Sequence, residues 1–164
     1  MADDSSQESI FVTTALAAWK QWTDRLTKII ESVSDEKLLA EIAPGKNRAI
    51  YIVGHLIAVN DAMMAQLRLG DAQYAHLWDT FVSKPDHAVA DLPSVTELRQ
   101  NWKDLNARLN TAFQELTPDQ WLERHSAVSE EDFVKEPHRN RLAMLLSRTS
   151  HSAYHLGQVM LAAK

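Results

Sequence analysis

An all-α domain, folded as a four-helix bundle, is the prediction for these 164 residues, and three observations carry it. Apolar residues recur at steps of three and four over four long stretches. Only 4 glycines and 5 prolines interrupt the chain. Leu, Ala, Glu, Lys, Arg and Gln, which lose little freedom in a helix, are abundant. With 45% hydrophobic residues the chain is long enough for one sizeable core and too short for two, so residues 1–164 are expected to form a single domain. The polar start, residues 1–9, is expected to be flexible.

The first helix is predicted from Phe11, Ala15, Ala18, Trp22, Leu26, Ile29 and Val33, which draw one apolar stripe over about six turns. A break follows at Ser34-Asp35 and again at Pro44-Gly45, with one or two helical turns around Leu38-Leu39 between them. The second helix is expected from about Asn47 to Leu69, with Gly70 as its C-terminal cap. It carries Ile50, Val53, Ile57 and Met64 and is apolar over a wide arc, as a helix with two neighbours would be. The third opens on Ser94-Val-Thr-Glu97, a capping-box pattern, and continues through Leu98, Trp102, Leu105, Leu109, Ala112 and Leu116. Thr117-Pro118-Asp119-Gln120 signals a short helix through Trp121. The fourth spans about Asn140 to Ala163 with Leu142, Leu145, Thr149, Ala153, Leu156 and Met160 on its stripe. Trp19, Trp22, Trp102 and Trp121 read as core or interface aromatics, and Trp78 and Phe81 as side chains that pack the long second connection onto the bundle.

Charge and composition exclude several function classes. A net charge of -5 and a pI near 5.8 do not suit a surface that neutralises phosphates, so no nucleic-acid partner is expected. No apolar run approaches the length of a membrane span, and the start MADDSSQES has neither the basic nor the apolar region of a secretion signal. A cytoplasmic location without membrane partners is expected. The chain has no cysteine, so any metal must be held by nitrogen and oxygen.

The chemistry lies where two helices carry histidine. His151 and His155, spaced i, i+4, project from one face of the fourth helix about 6 Å apart along its axis. Such a pair can grip one ion, but it also arises on merely polar faces. His55 is the candidate third ligand. It sits in the most apolar part of the second helix, where a polar ring needs a partner; a core histidine bound to a carbonyl or hydroxyl is the alternative. His55 lies roughly 12 Å into its helix, and the centre of the pair lies roughly 15 Å from the end of the fourth. Antiparallel second and fourth helices therefore bring the three rings to one level, whereas a plain up-down-up-down bundle leaves them about 7 or 8 Å apart. An up-down-down-up order removes the mismatch and needs long connections. The one that returns along a whole helix runs from Gly70 to Pro93, after helix two, and a second long connection follows helix three. His76, His87, His125 and His138 fall in loops without ligand spacing and are expected to be solvated, and Glu130-Glu131-Asp132 reads as a solvated turn or helix start.

The run His151-Ser-Ala-Tyr-His155-Leu-Gly157-Gln158, together with Gly54-His55-Leu56, resembles the DinB-like (DinB/YfiT) superfamily over nearly the whole chain. The resemblance implies an up-down-down-up bundle, often dimeric, with a histidine triad on a divalent metal; the ligands here would be His55, His151 and His155. It also implies a metal such as zinc or nickel, and enzymes that use low-molecular-weight thiols to transfer or isomerise groups on small molecules. Manganese and iron also accept imidazole.

Three neutral imidazoles leave coordination positions open, which marks a catalytic rather than a closed structural site. No carboxylate shares the histidine faces, although Asp24, Asp61 or Glu130 remain candidates to reach in. That favours activation of a bound thiolate over self-contained hydrolysis. Ser152 stands where a zincin's glutamate would be, so a peptidase of that type is not expected. Arg148, Gln158 and Tyr51 are the polar groups nearest the histidines and the candidate catalytic residues. Arg148 would fix a substrate carboxylate or simply be solvated. Two function classes follow. One is a metal-dependent thiol transferase or hydrolase acting on a small molecule, and the other a non-catalytic bundle whose triad serves stability, dimerisation or small-molecule binding.

Overall fold

In the computed structural model, which describes residues 6–163, the chain is all-α, with no strand among the described residues. Four long helices carry the architecture: α1 (Gln7–Ser32), α3 (Ala49–Gln66), α4 (Val95–Gln114) and α7 (Arg141–Ala162). Short helices α2 (Asp35–Leu39), α5 (Pro118–Trp121) and α6 (Glu130–Lys135) lie in the connections. The link from α3 to α4 holds a 3₁₀ turn, Ala75–Leu77, and a π-helical turn, Asp79–Ser83. The long helices form a ring of contacts: α1 lies against α4 and α7, and α3 lies against the same two. None is long and apolar enough to cross a membrane.

Local chemistry explains most of the boundaries. Ser6, Ser34, Ser94, Thr117, Ser129 and Asn140 each accept a backbone N–H from the first turn of the helix they precede. Ser6 caps α1, so Gln7, Glu8 and Ser9 of the start expected to be flexible are helical, while residues 1–5 lie outside the described residues. The reciprocal capping box forms at Thr117–Gln120. At Ser94 only the serine half is made.

The end of α3 departs from the expected Gly70 cap. Leu69 N–H reaches back to Met64 O (2.7 Å) and Arg68 N–H to Ala65 O (3.1 Å), a Schellman closure three residues past Ala65. Arg68, at φ 58°, occupies the left-handed position that glycine usually fills. The apolar period runs on through Leu69 and hides this stop. The end of α1 has neither glycine nor a basic residue in its last turn. Arg99 from α4 does the work instead, donating to Ile30 O (2.9 Å) and Val33 O (2.6 Å) and so satisfying carbonyls that the helix leaves free.

The core is aromatic along its α1–α4 side. Trp19 meets Phe113 edge-on at 5.8 Å, and Phe113 meets Trp121 at 5.3 Å. Trp102 is buried and donates its indole N–H to Thr27 Oγ1 (2.8 Å). Trp22 is only half-buried, with the Arg25 guanidinium over its ring at 4.9 Å. On the other side α3 is enclosed by α2, α4, α7 and the two turns after it. This enclosure is the reason for its apolar circumference.

Those turns are pinned to α3. Phe81 is fully buried, and its ring lies on the backbone of Gly54, where a Cβ would overlap the ring. Trp78, by contrast, remains 39% exposed. Asp86 clamps the beginning of α3 from the same connection: it accepts the Arg48 N–H (2.6 Å) and grips the guanidinium (Nη2–Oδ1 2.6 Å). Burial opposes its ionisation, but the Arg48 and His87 donors outweigh that cost and hold the carboxyl below its usual range.

Gly54→Ala should destabilise the protein by about 1–3 kcal/mol in urea unfolding, since overpacking against Phe81 outweighs the ~1 kcal/mol helix-propensity gain. In a Phe81→Ala background the same change should be neutral or stabilising, which a double-mutant cycle reads directly. Arg68→Gly should raise stability by about 1 kcal/mol, because glycine occupies the left-handed region without the Cβ penalty.

Candidate metal centre

His55 projects from the middle of α3, and His151 and His155 from successive turns of α7. Their three rings meet: His155 Nε2 lies 3.0 Å from His151 Nε2, and His55 Nε2 lies 3.3 Å from the same atom. All three offer a ligand atom within 4.8 Å of one another, and no other group of metal-ligating side chains forms among the described residues. The structure thus brings together all three predicted ligands.

Hydrogen bonds on the far side of two rings decide where their lone pairs point. His55 Nδ1 is 2.9 Å from Phe81 O, a carbonyl that can only accept, so Nδ1 carries the proton and Nε2 faces the cluster as an acceptor. His155 Nδ1 is 2.6 Å from Gln158 Oε1. The Gln158 amide is oriented by its own N–H, which donates to the Tyr154 hydroxyl (3.2 Å). His155 Nε2 is therefore also an acceptor. His151 Nε2 sits between these two lone pairs and could donate to only one of them. Its Nδ1 is buried without a partner.

This arrangement is frustrated as a set of neutral hydrogen bonds and fits a cation. Ligand bonds of about 2.0–2.1 Å give N···N spans of roughly 2.9 Å at right angles and 3.3 Å at the tetrahedral angle. The observed 3.0 and 3.3 Å fall on these values. A far-side hydrogen bond that fixes the tautomer is the usual support of a ligating histidine, and two of the three rings have one.

Electrostatics agree with the geometry. Burial, then the neighbouring His155 and His55, push His151 down to about 4. Burial likewise takes His155 to about 4, against the opposing bond to Gln158. Burial also lowers His55, although its bond to Phe81 O works the other way. All three are neutral at pH 7, the state in which imidazole binds metal.

The other candidates occupy distinct roles. Gln158 touches the site as the anchor of His155. The Tyr51 hydroxyl donates to Lys84 O (2.5 Å) while its ring rests 5.6 Å from Phe81. Burial raises its pKa, so it remains a donor that steadies the Phe81 turn. Arg148, half-buried one turn before His151, disfavours protonation of His55 and His151. The three acids considered as additional members are engaged elsewhere. Asp61 is buried with Arg108 (3.0 Å) and the Gln73 and Tyr74 N–H groups, Asp24 pairs with Lys20 (2.6 Å), and Glu130 is exposed beside Arg124. His76, His87 and His138 are exposed as expected. His125 is not: it is half-buried, its Nδ1 is enclosed, and burial with Arg139 and Arg124 lowers its pKa.

Because the folded pKa values of His151 and His155 lie below the ordinary 6.5, the unfolded chain binds more protons between pH 6.5 and about 4. The histidines' contribution to stability is complete above pH 6.5 and declines as pH falls through that window. Urea midpoints of the chelator-treated protein should decline accordingly, and the decline should be shallower in His151→Ala/His155→Ala. Gln158→Leu should weaken metal affinity by about 10- to 100-fold, the typical cost of losing a ligand's hydrogen-bond partner.

The family model described as the DinB superfamily matches residues 18–159, a span that includes all three histidines and both connections. No curated protein matches the chain. With the match covering most of its length, the chain is a member of the DinB superfamily.

Proposed function

We propose that the protein is a metalloenzyme in which His55, His151 and His155 hold one divalent ion, zinc or nickel, and serve transfer or hydrolysis on a small molecule. The observation that carries this reading is the convergence of three neutral imidazoles on one point. A bound ion would supply Lewis acidity and open coordination positions to a thiolate or a water. The chain's own groups would do the rest. Phe81 O and Gln158 hold two imidazoles in the metal-binding tautomer. Reaction with a low-molecular-weight thiol is favoured over self-contained hydrolysis, because no described carboxylate joins the cluster to act as general base.

The same reading includes an up-down-down-up bundle. Its support is the register of contacts. Trp19–Phe113, Thr27–Trp102 and Ile30–Arg99 run in opposite senses along α1 and α4. Arg48 and Val95, at the starts of α3 and α4, line one surface pocket, and Asp61 meets Arg108 thirteen residues further along each helix. Ser32 and Ala163, at the ends of α1 and α7, line another. A homodimer and a cytoplasmic location belong to this reading, and exposed Phe11, Leu146 and Met160 on α1 and α7 favour the dimer.

The lack of a carboxylate in the cluster also favours a second reading, a non-catalytic bundle that keeps the ion for stability or small-molecule binding. Elemental analysis of the purified protein, paired with thiol-conjugation assays with and without chelator, separates the two. The enzyme reading predicts about one ion per chain and turnover that the chelator abolishes. Bound metal without thiol or hydrolytic turnover favours the second. His151→Ala should remove stoichiometric metal while far-UV circular dichroism stays helical; loss of the fold would make the site structural.

A further inference from the structure

Of the nine arginines in the chain, six pair with a carboxylate. Arg25 lies over the Trp22 ring, and Arg68 is exposed at the cap of α3. Arg148 differs from all of these. It is half-buried, and no hydrogen bond or ion pair joins it to any described residue. A guanidinium carries five donors in a planar fork; the Arg148 nitrogens are not sealed from solvent and stay open to an outside acceptor, while partial burial of the side chain costs hydration. Burial accordingly works against its charge.

Its position gives the charge a purpose. Arg148 precedes His151 by three residues and His155 by seven, so it stands on the histidine face of α7. Its field reaches both sides of the cluster, acting on His151 of its own helix and on His55 of α3. The two groups that feel its charge, His55 and His151, are neutral imidazoles, and no described carboxylate pairs with it or joins the cluster. A divalent ion on three neutral ligands would add two further positive charges beside it. Such a site would disfavour cations, and no described carboxylate offsets its charge.

We propose that Arg148 is the anion-binding residue beside the histidine triad, selecting small molecules that carry a carboxylate in addition to the atom presented to the histidines. The planar fork matches a carboxylate with two parallel hydrogen bonds, and lysine would supply the charge without that geometry. The second half of the statement rests on the metal-site reading above; the carboxylate half stands on Arg148 itself.

The test uses the full-length protein loaded with Co(II) and two thiols of matched length, 3-mercaptopropionate and 3-mercaptopropanol. Binding is read from thiolate-to-cobalt absorption. The wild type should prefer the carboxylate-bearing thiol by about 10- to 100-fold, the range of a charge-assisted pair. Arg148→Met should reduce the preference to within about 2-fold by weakening only that thiol, and Arg148→Lys should fall between. Equal affinities in the wild type, or equal weakening of both thiols in Arg148→Met, would overturn the assignment. If Arg148→Met does not fold, Arg148→Lys decides by the same criterion. If neither thiol produces the absorption band, the thiolate reading of the site fails, and a propionate titration followed at the Arg148 Nε–H by NMR decides the carboxylate half. A saturable shift of that signal supports it, and no shift overturns it.

Discussion

The bond from His55 Nδ1 to the Phe81 carbonyl joins the site to the fold. Phe81 presents that carbonyl because it belongs to a π-helical turn closed by Lys84 N–H on Asp79 O, which leaves its own oxygen free. The turn can approach α3 so closely only because residue 54 has no side chain. Tyr51 and Asp86 then hold the same connection from either side, one through Lys84 O and the other through Arg48. A histidine in the most apolar helix of the chain is thereby given one fixed proton and one inward lone pair. With that direction set, α7 has only to present two more rings at the same level, which its i, i+4 spacing does.

Much of this was legible in the residues. Amphipathic periods located the four long helices, and the capping signals at Ser94 and Thr117 located the starts of α4 and α5. The i, i+4 pair and the lone histidine in an apolar run marked all three members of the cluster. What stayed hidden has a common cause. The partner of His55 is a backbone carbonyl, which no residue type announces. The role of Gly54 depends on a side chain 27 residues away, and the clamp on Arg48 depends on one 38 residues away. Neither separation follows a helical period. The end of α3 was hidden for a different reason: a Schellman closure with arginine in the left-handed position looks, in sequence, like continued helix.

In the proposed reading, the chemistry of the site is governed by charge balance more than by any one side chain. Neutral imidazoles would not offset an ion, Arg148 would add to its charge, and Asp61, Asp24 and Glu130 pair with other cations away from the cluster. A site of this kind gathers anions and offers no internal base. That description suits a thiolate carrying its own negative charge better than a water that must lose a proton.

X-ray absorption at the metal edge of the purified protein tests this account most directly, because it reads the donor atoms rather than the consequences of binding. The account predicts three imidazole nitrogens at about 2.0–2.1 Å, with the remaining positions filled by light exogenous atoms. A first shell of oxygen alone, without imidazole scattering, would contradict it.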